Sequence, residues 1–329
     1  MYINTASYYL PETIIPNEYY TRLIGLTDEW IYKRSGIRKR TKADVDENTN
    51  TMSIKAVEAA IHQLPYPIKE VDLIVGATYT PYDTIGTLAH AVQGHFNIPR
   101  ARVVSISTAC SSVLNAIEIV EGYFAVNKAH RAIVVASEHN TAYSDDKDEQ
   151  SGHLWGDGAG ALFISKERVT DKDMEIVDVN TRGLAHIGKG VEGVYLRPNS
   201  GGLKMPHGRE IFVKASKYMI SEVKDILRKN HLTLQNINYL IPHQANTRII
   251  GNIAESLGLS NGEMITNMEE TGNTGCASTI IALSQNWDRF LSNELVVITV
   301  FGGGYSSGAM ILKKADGHKT REPQNTTHI

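Results

Sequence analysis

The sequence predicts an α/β protein built from two repeats of one unit, and three observations predict it. Apolar runs with no alternation, such as 71–77, 131–137 and 295–300, read as strands covered on both faces. Segments with apolar residues at helical spacing separate them. Four elements then recur in the same order: 237–242 echoes 71–77, Thr274-Gly-Cys276 echoes Thr108-Ala-Cys110, 295–300 echoes 131–137, and 307–313 echoes 159–165.

A chain of 329 residues exceeds the usual single domain. The repeats divide it into an N-terminal half over 1–170, a C-terminal half over 171–314 and a polar tail over 315–329. An insertion over 180–215 separates the matched elements. With 33 basic against 36 acidic residues and a net charge of -3, no basic excess points to nucleic acid. The first ten residues carry no basic n-region and no long apolar h-region, and no apolar stretch reaches membrane-spanning length. The two cysteines, Cys110 and Cys276, sit in small-residue turns, which suits a reducing, cytoplasmic setting. They lie far apart in the chain, and no Cys/His pair has ligand spacing, so no metal is expected.

Each element has a local reason. Residues 2–9 form a first strand that stops before Pro11, and 17–24 and the Thr27-Asp-Glu-Trp30 start predict two short helices. The stretch Ile31–Arg40 is basic and follows an exposed-looking Trp; it reads as a nucleotide-binding surface or as a solvated loop. Residues 51–64 are amphipathic, 71–77 is a buried strand, 79–86 a loop, and 88–96 a helix stopping before Pro99. Arg102–Ser107 reads as a buried strand, and Val113, Ala116, Ile117, Val120 and Phe124 mark the helix after it. The Gly-rich run 156–160 does not match a phosphate-cradling loop with Lys and reads as a structural turn.

Four loops should converge at the carboxyl ends of these strands, where open α/β sheets carry their sites. The first holds Cys110 between a strand and a helix, where unpaired N–H groups and the dipole end favour a thiolate. A small buried hydrophobe is the plainer reading. The second is Pro242-His243-Gln-Ala-Asn246, which fixes His243 at a strand end, whereas His90, His95, His139 and His153 read as structural. The third is Gly272-Asn273-Thr-Gly275, with Asn273 as a turn residue or a donor. The fourth, Phe301-Gly-Gly-Gly304, exposes bare backbone N–H groups of the kind an oxyanion hole needs.

Together these segments, with Gly156-Asp157-Gly-Ala-Gly-Ala161 and Asp28-Glu-Trp-Ile-Tyr-Lys-Arg34-Ser-Gly-Ile-Arg38, resemble the β-ketoacyl-ACP synthase III family. The resemblance runs from about residue 2 to residue 313. It implies a five-layered α-β-α-β-α thiolase fold, a homodimer, an acyltransferase activity and a Cys110-His243-Asn273 catalytic set. It implies a decarboxylative Claisen condensation of an acyl-CoA or acyl-ACP with malonyl-ACP through acyl-Cys110, with no cofactor. The oxyanion hole would be the N–H groups of Cys110 and Gly303. Trp30, Arg34, Asn246 and Phe301 would bind substrate, Ile85 would close the partner's acyl pocket, and Arg248 would meet the acyl carrier protein.

Two departures stand out. The loop Asp148–His153 lacks the arginine that typical members set opposite the Trp, and Glu255 and Ser256 replace common basic residues. A specialised relative of polyketide or secondary-metabolite type, or an acyltransferase using the same acyl-cysteine, therefore stays open.

Overall fold

The computed structural model describes residues 1–260 and 262–316, so the expected tail lies outside the described residues from 317 onward. The first half runs β1 (Tyr2–Tyr9), β2 (Thr13–Pro16), α1 (Asn17–Ile24), α2 (Asp28–Ser35), β3 (Lys39–Lys42), α3 (Thr49–Glu58), β4 (Leu73–Ala77), α4 (Leu88–His95), β5 (Arg102–Ile106), α5 (Ser112–Ala125), β6 (Arg131–Glu138) and β7 (Gly158–Ser165). The second runs β8 (Met174–Gly183), β9 (Tyr195–Arg197), β10 (Gly202–Lys204), α6 (Gly208–Lys229), β11 (Tyr239–Pro242), α7 (Thr247–Leu257), α8 (Met268–Thr271), α9 (Ser278–Gln285), β12 (Leu295–Gly302) and β13 (Ser306–Lys314). The expected boundary at 170/171 lies between the end of β7 and the start of β8.

The repeat is visible in the sheet. The first half orders its strands β5-β4-β6-β7-β1, and the second β11-β12-β13-β8. In both, a parallel pair (β4 with β6, β11 with β12) continues into antiparallel neighbours. The second-half counterpart of edge strand β5 has shrunk to one isolated bridge, Leu240 with Met264. The halves join where Tyr2 and Ile3 of β1 pair with Glu175 and Met174 of β8.

Helices α5 and α9 lie between the two half-sheets, where Leu114, Ile117 and Val120 share one apolar cluster with Ile280, Ile281 and Leu283. Met52, Val57, Leu88 and Val92 of α3 and α4 cover the outer face of the first half. Met219, Val223, Ile249 and Ile253 of α6 and α7 cover the second. This is the five-layered thiolase architecture. Each fully buried aliphatic side chain in it contributes about 1.5–3 kcal/mol, so the central helices are anchored from both sides.

Three expectations change. β5 is a sheet edge, with Arg102 and Ser105 exposed, not a strand buried on both faces. α3 stops at Glu58, short of residue 64, and the chain tightens into a 3₁₀ turn over Ile61–Gln63. Pro65 disfavours helical backbone in the residue before it, which closes off continuation. The insertion also ends earlier than 215, because α6 begins at Gly208. No helix among the described residues is long and apolar enough to cross a membrane.

Candidate active site

The nucleophile turn is tight. β5 ends at Ile106, Ala109 adopts φ +52°, and α5 begins at Ser112. A left-handed alanine is strained, and three contacts hold it there. The Thr108 N–H donates to Ser112 Oγ at 2.8 Å, the Ser111 hydroxyl donates to the Thr108 carbonyl at 2.8 Å, and the Ser306 hydroxyl donates to the same carbonyl at 3.1 Å. Cys110 thus stands just before the first turn of α5, half-buried. Gly302 closes in from β12: a Cβ there would sit 2.7 Å from the Thr108 carbonyl and 3.1 Å from the Cys110 nitrogen. The next N–H, that of Gly303, bears on the Cys110 sulfur.

The thiolate expectation is corrected in the resting chain. Burial pushes the Cys110 thiol up to about 12, and the nearby Glu138 carboxylate adds to the rise. The N–H groups of Gly303 and Cys110 and the Tyr79 hydroxyl act in the opposite direction but do not outweigh burial.

His243 follows β11 directly, and its N–H donates to the Thr299 carbonyl at 2.8 Å. Burial drives its pKa down to about 4, so the imidazole is neutral. The Ser278 hydroxyl lies 2.9 Å from Nδ1 and accepts the Gln244 N–H at 3.4 Å. Ser278 thus fixes the ring orientation from the Nδ1 side, and Nε2 is the other ring nitrogen.

The Asn273 loop is pinned through backbone. Its N–H donates to the Leu154 carbonyl at 2.9 Å, and its carbonyl accepts the Gly156 N–H at 3.0 Å and the Asn140 amide at 3.1 Å. Its Oδ1 accepts the Gly275 N–H at 3.0 Å, which leaves Nδ2 as the free donor end. The run 156–160, expected as a turn, enters β7 at Gly158, and its glycines serve packing. A Cβ at Gly160 would meet Ile280 at 2.6 Å, and Asp157 accepts N–H groups from Ala43 and Thr141.

A cavity of about 690 Å³ leads to Asn273 and is lined by Trp30, Arg34, His153, Asn246 and Arg248. Trp30 and Arg34 are one turn apart on α2, and the guanidinium lies 4.0 Å over the indole. Asn246 caps α7, accepting the Arg248 N–H at 2.8 Å while donating to the Arg34 carbonyl at 2.9 Å. The amide expected to bind substrate thus also ties α7 to α2. Phe301 is placed elsewhere than expected: it is buried in an aromatic stack with Tyr218 and Tyr305. Ile85 stands 87% exposed on the loop between β4 and α4.

The basic stretch is not uniformly solvated. Arg40 is fully buried and donates to Ile15 O, Asn17 Oδ1 and His153 O. His153, read as structural, lines the cavity with its Nδ1 unpartnered. Cys276 and Cys110, distant in sequence, both approach Glu138. Among the described residues no cluster of three or more His, Cys, Asp or Glu side chains could hold a metal ion.

Two family models match, described as 3-oxoacyl-[acyl-carrier-protein (ACP)] synthase III over residues 104–183 and its C-terminal part over 227–314. A β-ketoacyl-[acyl-carrier-protein] synthase III of Clostridium perfringens is 31% identical, covering 93% of this chain and 96% of that one. The chain belongs to the β-ketoacyl-ACP synthase III family. The 3-oxoacyl-[acyl-carrier-protein] synthase III of Aquifex aeolicus superposes with a TM-score of 0.88 at 29% identity, covering 95% of this chain and 99% of that one. The priming β-ketosynthase of the R1128 polyketide pathway superposes at 0.86 with 26% identity, covering 96% of each chain. The synthase III family consists of acyltransferases that condense, and this chain is an enzyme of that class.

Proposed function

We propose that this synthase III homologue joins an acyl thioester to malonyl-ACP with loss of carbon dioxide, giving β-ketoacyl-ACP, the initiation step of fatty-acid synthesis. The observation that carries this reading is the pair of neutral side chains His243 and Asn273, the second lining the cavity, each oriented by hydrogen bonds of its own loop. Neutral donors stabilise an enolate without adding negative charge beside it, which a carboxylate at 273 would do.

In the first stage the Cys110 sulfur attacks the acyl carbonyl, the carbon–sulfur bond to the donor breaks, and the Cys110 proton leaves on the departing thiol. The N–H groups of Cys110 and Gly303 take the oxyanion. In the second, malonyl thioester loses carbon dioxide, and its electron pair becomes an enolate held by His243 and Asn273. The enolate carbon attacks acyl-Cys110, and the released thiolate is reprotonated. Trp30, Arg34, Asn246 and Arg248 guide the substrate arm, with Arg248 toward the carrier protein.

The active unit is a homodimer in this reading. The exposed edge of β5 and the exposed Tyr82 and Ile85 support it, with Ile85 reaching the acyl pocket of a second copy. Both cysteines are free, which suits the cytoplasm.

Intact-protein mass after incubation with acyl-CoA and acyl-ACP panels tests the first stage. An acyl mass gain in wild type, absent in Cys110→Ala, is expected. Carbon dioxide release from malonyl-ACP, lost in Asn273→Ala, tests the second; no acylation by any donor overturns the reading. A specialised polyketide-type role is favoured by one observation: Arg34, not a residue of the 148–153 loop, covers the Trp30 face. Acylation by carrier-bound groups but not by acetyl-CoA would select it.

A further inference from the structure

His243 and Asn273 stand on separate loops, one after β11 and the other before α9. The Asn273 loop is pinned to Leu154, Gly156 and Asn140 through its backbone. The His243 loop is pinned elsewhere. Its N–H donates to the Thr299 carbonyl, and the buried Gln244 amide donates to the Pro242 and Ile265 carbonyls at 2.6 and 3.2 Å. Gln244 Oε1 also accepts the Asn267 N–H at 3.0 Å. None of these contacts holds the imidazole itself. Among the described residues the buried ring makes one hydrogen bond, between Nδ1 and Ser278 Oγ at 2.9 Å. Ser278 is fully buried at the start of α9, and its oxygen also takes the Gln244 N–H at 3.4 Å. Among the described residues, this hydroxyl alone hydrogen-bonds the 243–246 loop directly to the 273–278 segment.

We propose that Ser278 is a positioning residue for malonyl decarboxylation, its hydroxyl setting the His243 imidazole in a fixed relation to the Asn273 amide. This rests on the condensing function proposed above. A developing enolate gains most from groups already aimed at it, because they need no reorientation as the charge forms. The His243 backbone is fixed, yet an imidazole keeps a broad torsion about its Cβ–Cγ bond. Removing the hydroxyl orphans a buried ring nitrogen and frees the ring to turn toward another partner. The contact serves whichever ring nitrogen holds the proton, because a serine hydroxyl both donates and accepts. Ser278 belongs to the helix that the Asn273 loop feeds. The same hydroxyl therefore refers the ring to the Asn273 side of the site, not only to its own strand. In the two-stage scheme Cys110 is acylated without His243 or Asn273, so Ser278 bears on the second stage alone.

Carbon dioxide release from malonyl-ACP and self-acylation by an acyl-CoA are measured side by side in Ser278→Ala. The kcat for carbon dioxide release is expected to fall roughly tenfold, with its KM and the acylation rate within about twofold of wild type. His243→Ala and the double variant separate positioning from packing. A residue that acts through His243 adds nothing once the imidazole is gone, so the double variant should match His243→Ala. A loss that multiplies with that of His243→Ala overturns the proposal, as does a full rate of carbon dioxide release in Ser278→Ala. Should the alanine variant fail to fold, judged by its Tm, Ser278→Cys takes its place, since a thiol nearly keeps the volume and bonds weakly. A second readout needs no turnover. In protein labelled with ¹⁵N-histidine, the His243 Nδ1 resonance, assigned by its loss in His243→Ala, should shift in Ser278→Ala. An unmoved resonance overturns the hold on the ring. Wild type that releases no carbon dioxide overturns the condensing function instead, and a shifted Nδ1 resonance then leaves the hold of Ser278 on His243 standing.

Discussion

The two halves of the molecule carry the same turn with opposite outcomes. Thr108-Ala109-Cys110 and Thr274-Gly275-Cys276 each place a left-handed residue before a cysteine and a buried central helix, at φ +52° and +59°. In the first half the cysteine is half-buried and meets the Gly303 N–H. In the second it is 1% exposed, and its thiol donates to the Ala77 carbonyl at 3.5 Å. The difference lies in what faces each turn. The bare backbone of Gly302 at the end of β12 closes against the Cys110 nitrogen, whereas the side chains of Tyr79 and Glu138 pack against Gly275 beside Cys276. A duplicated backbone supplies two candidate nucleophile positions, and packing from the opposite half selects one.

The largest test of that contrast exchanges the cysteines for alanine one at a time. Cys110→Ala should abolish acylation and alkylation at this site completely. Cys276→Ala should leave both within about twofold and cost roughly 1 kcal/mol of stability as a small cavity. Intact mass and urea unfolding measure the two effects, and acylation that follows Cys276 would reverse the assignment.

Glycine substitution probes the packing that makes the choice. At Gly275 a Cβ would lie 2.5 Å from Tyr79 Oη and 2.7 Å from Glu138 Cγ. Gly275→Ala should therefore destabilise the fold by about 2–4 kcal/mol. Gly302→Ala would press on the Thr108 carbonyl and the Cys110 nitrogen. Displacing one oxyanion donor should slow acylation by about 10²-fold. A Gly302→Ala protein with full acylation rate would show that the close approach of β12 is only a packing matter.

How much of this was legible in the sequence follows from what repeats and what does not. The strands β4, β6, β11 and β12 announced themselves because burial on both faces forces continuous apolar runs. Cys110, His243 and Asn273 stood out because each follows a strand end or lies between glycines. The helix α6 was legible but unread: Ala215, Met219, Val223 and Ile226 keep helical spacing on its buried face. Tyr79 and Arg40 were not legible. Nothing local distinguishes a loop tyrosine that bonds a buried amide from one in water, or a buried guanidinium from its exposed neighbours. Their roles are set by partners about 60 to 110 positions away, Asn140 and His153. The missing edge strand of the second half was hidden for a related reason, since one bridge at Met264 leaves no pattern.

Buried titratable groups in the two halves respond to acid in opposite directions. His243 in the second half is depressed to about 4 by burial, against an ordinary 6.5. The unfolded chain then binds more protons than the native one between these values, so stability falls as pH drops from 6.5 toward 4. That loss amounts to about 2–3 kcal/mol by pH 4.5. Glu138 in the first half is raised to about 7, from an ordinary 4.5, by burial. There the native state holds the extra proton, and stability falls in the other direction, as pH rises from 4.5 to 7. Urea unfolding against pH should show His243→Gln flattening the acid limb. His153, also depressed to about 4, should keep part of that limb in place.

The smallest expected effect returns to the left-handed residue of each turn. Gly275 has no room for a Cβ, and its φ suits glycine. Ala109 carries a Cβ at nearly the same φ, at a cost of about 1–2 kcal/mol relative to ordinary backbone. Ala109→Gly removes that strain but gives the unfolded chain more freedom, worth about 0.5–1 kcal/mol in the opposite sense. The net gain should be about 0.5 kcal/mol, read as a rise in Tm of about 1–2 °C. Strain that rigidifies the nucleophile turn has a kinetic counterpart, because the Cys110 N–H must stay aimed at the oxyanion. The glycine variant should therefore be slightly more stable and slightly slower to acylate. A variant that gains stability with no loss of rate would show that the Ser111, Ser112 and Ser306 hydroxyls alone hold the turn in register.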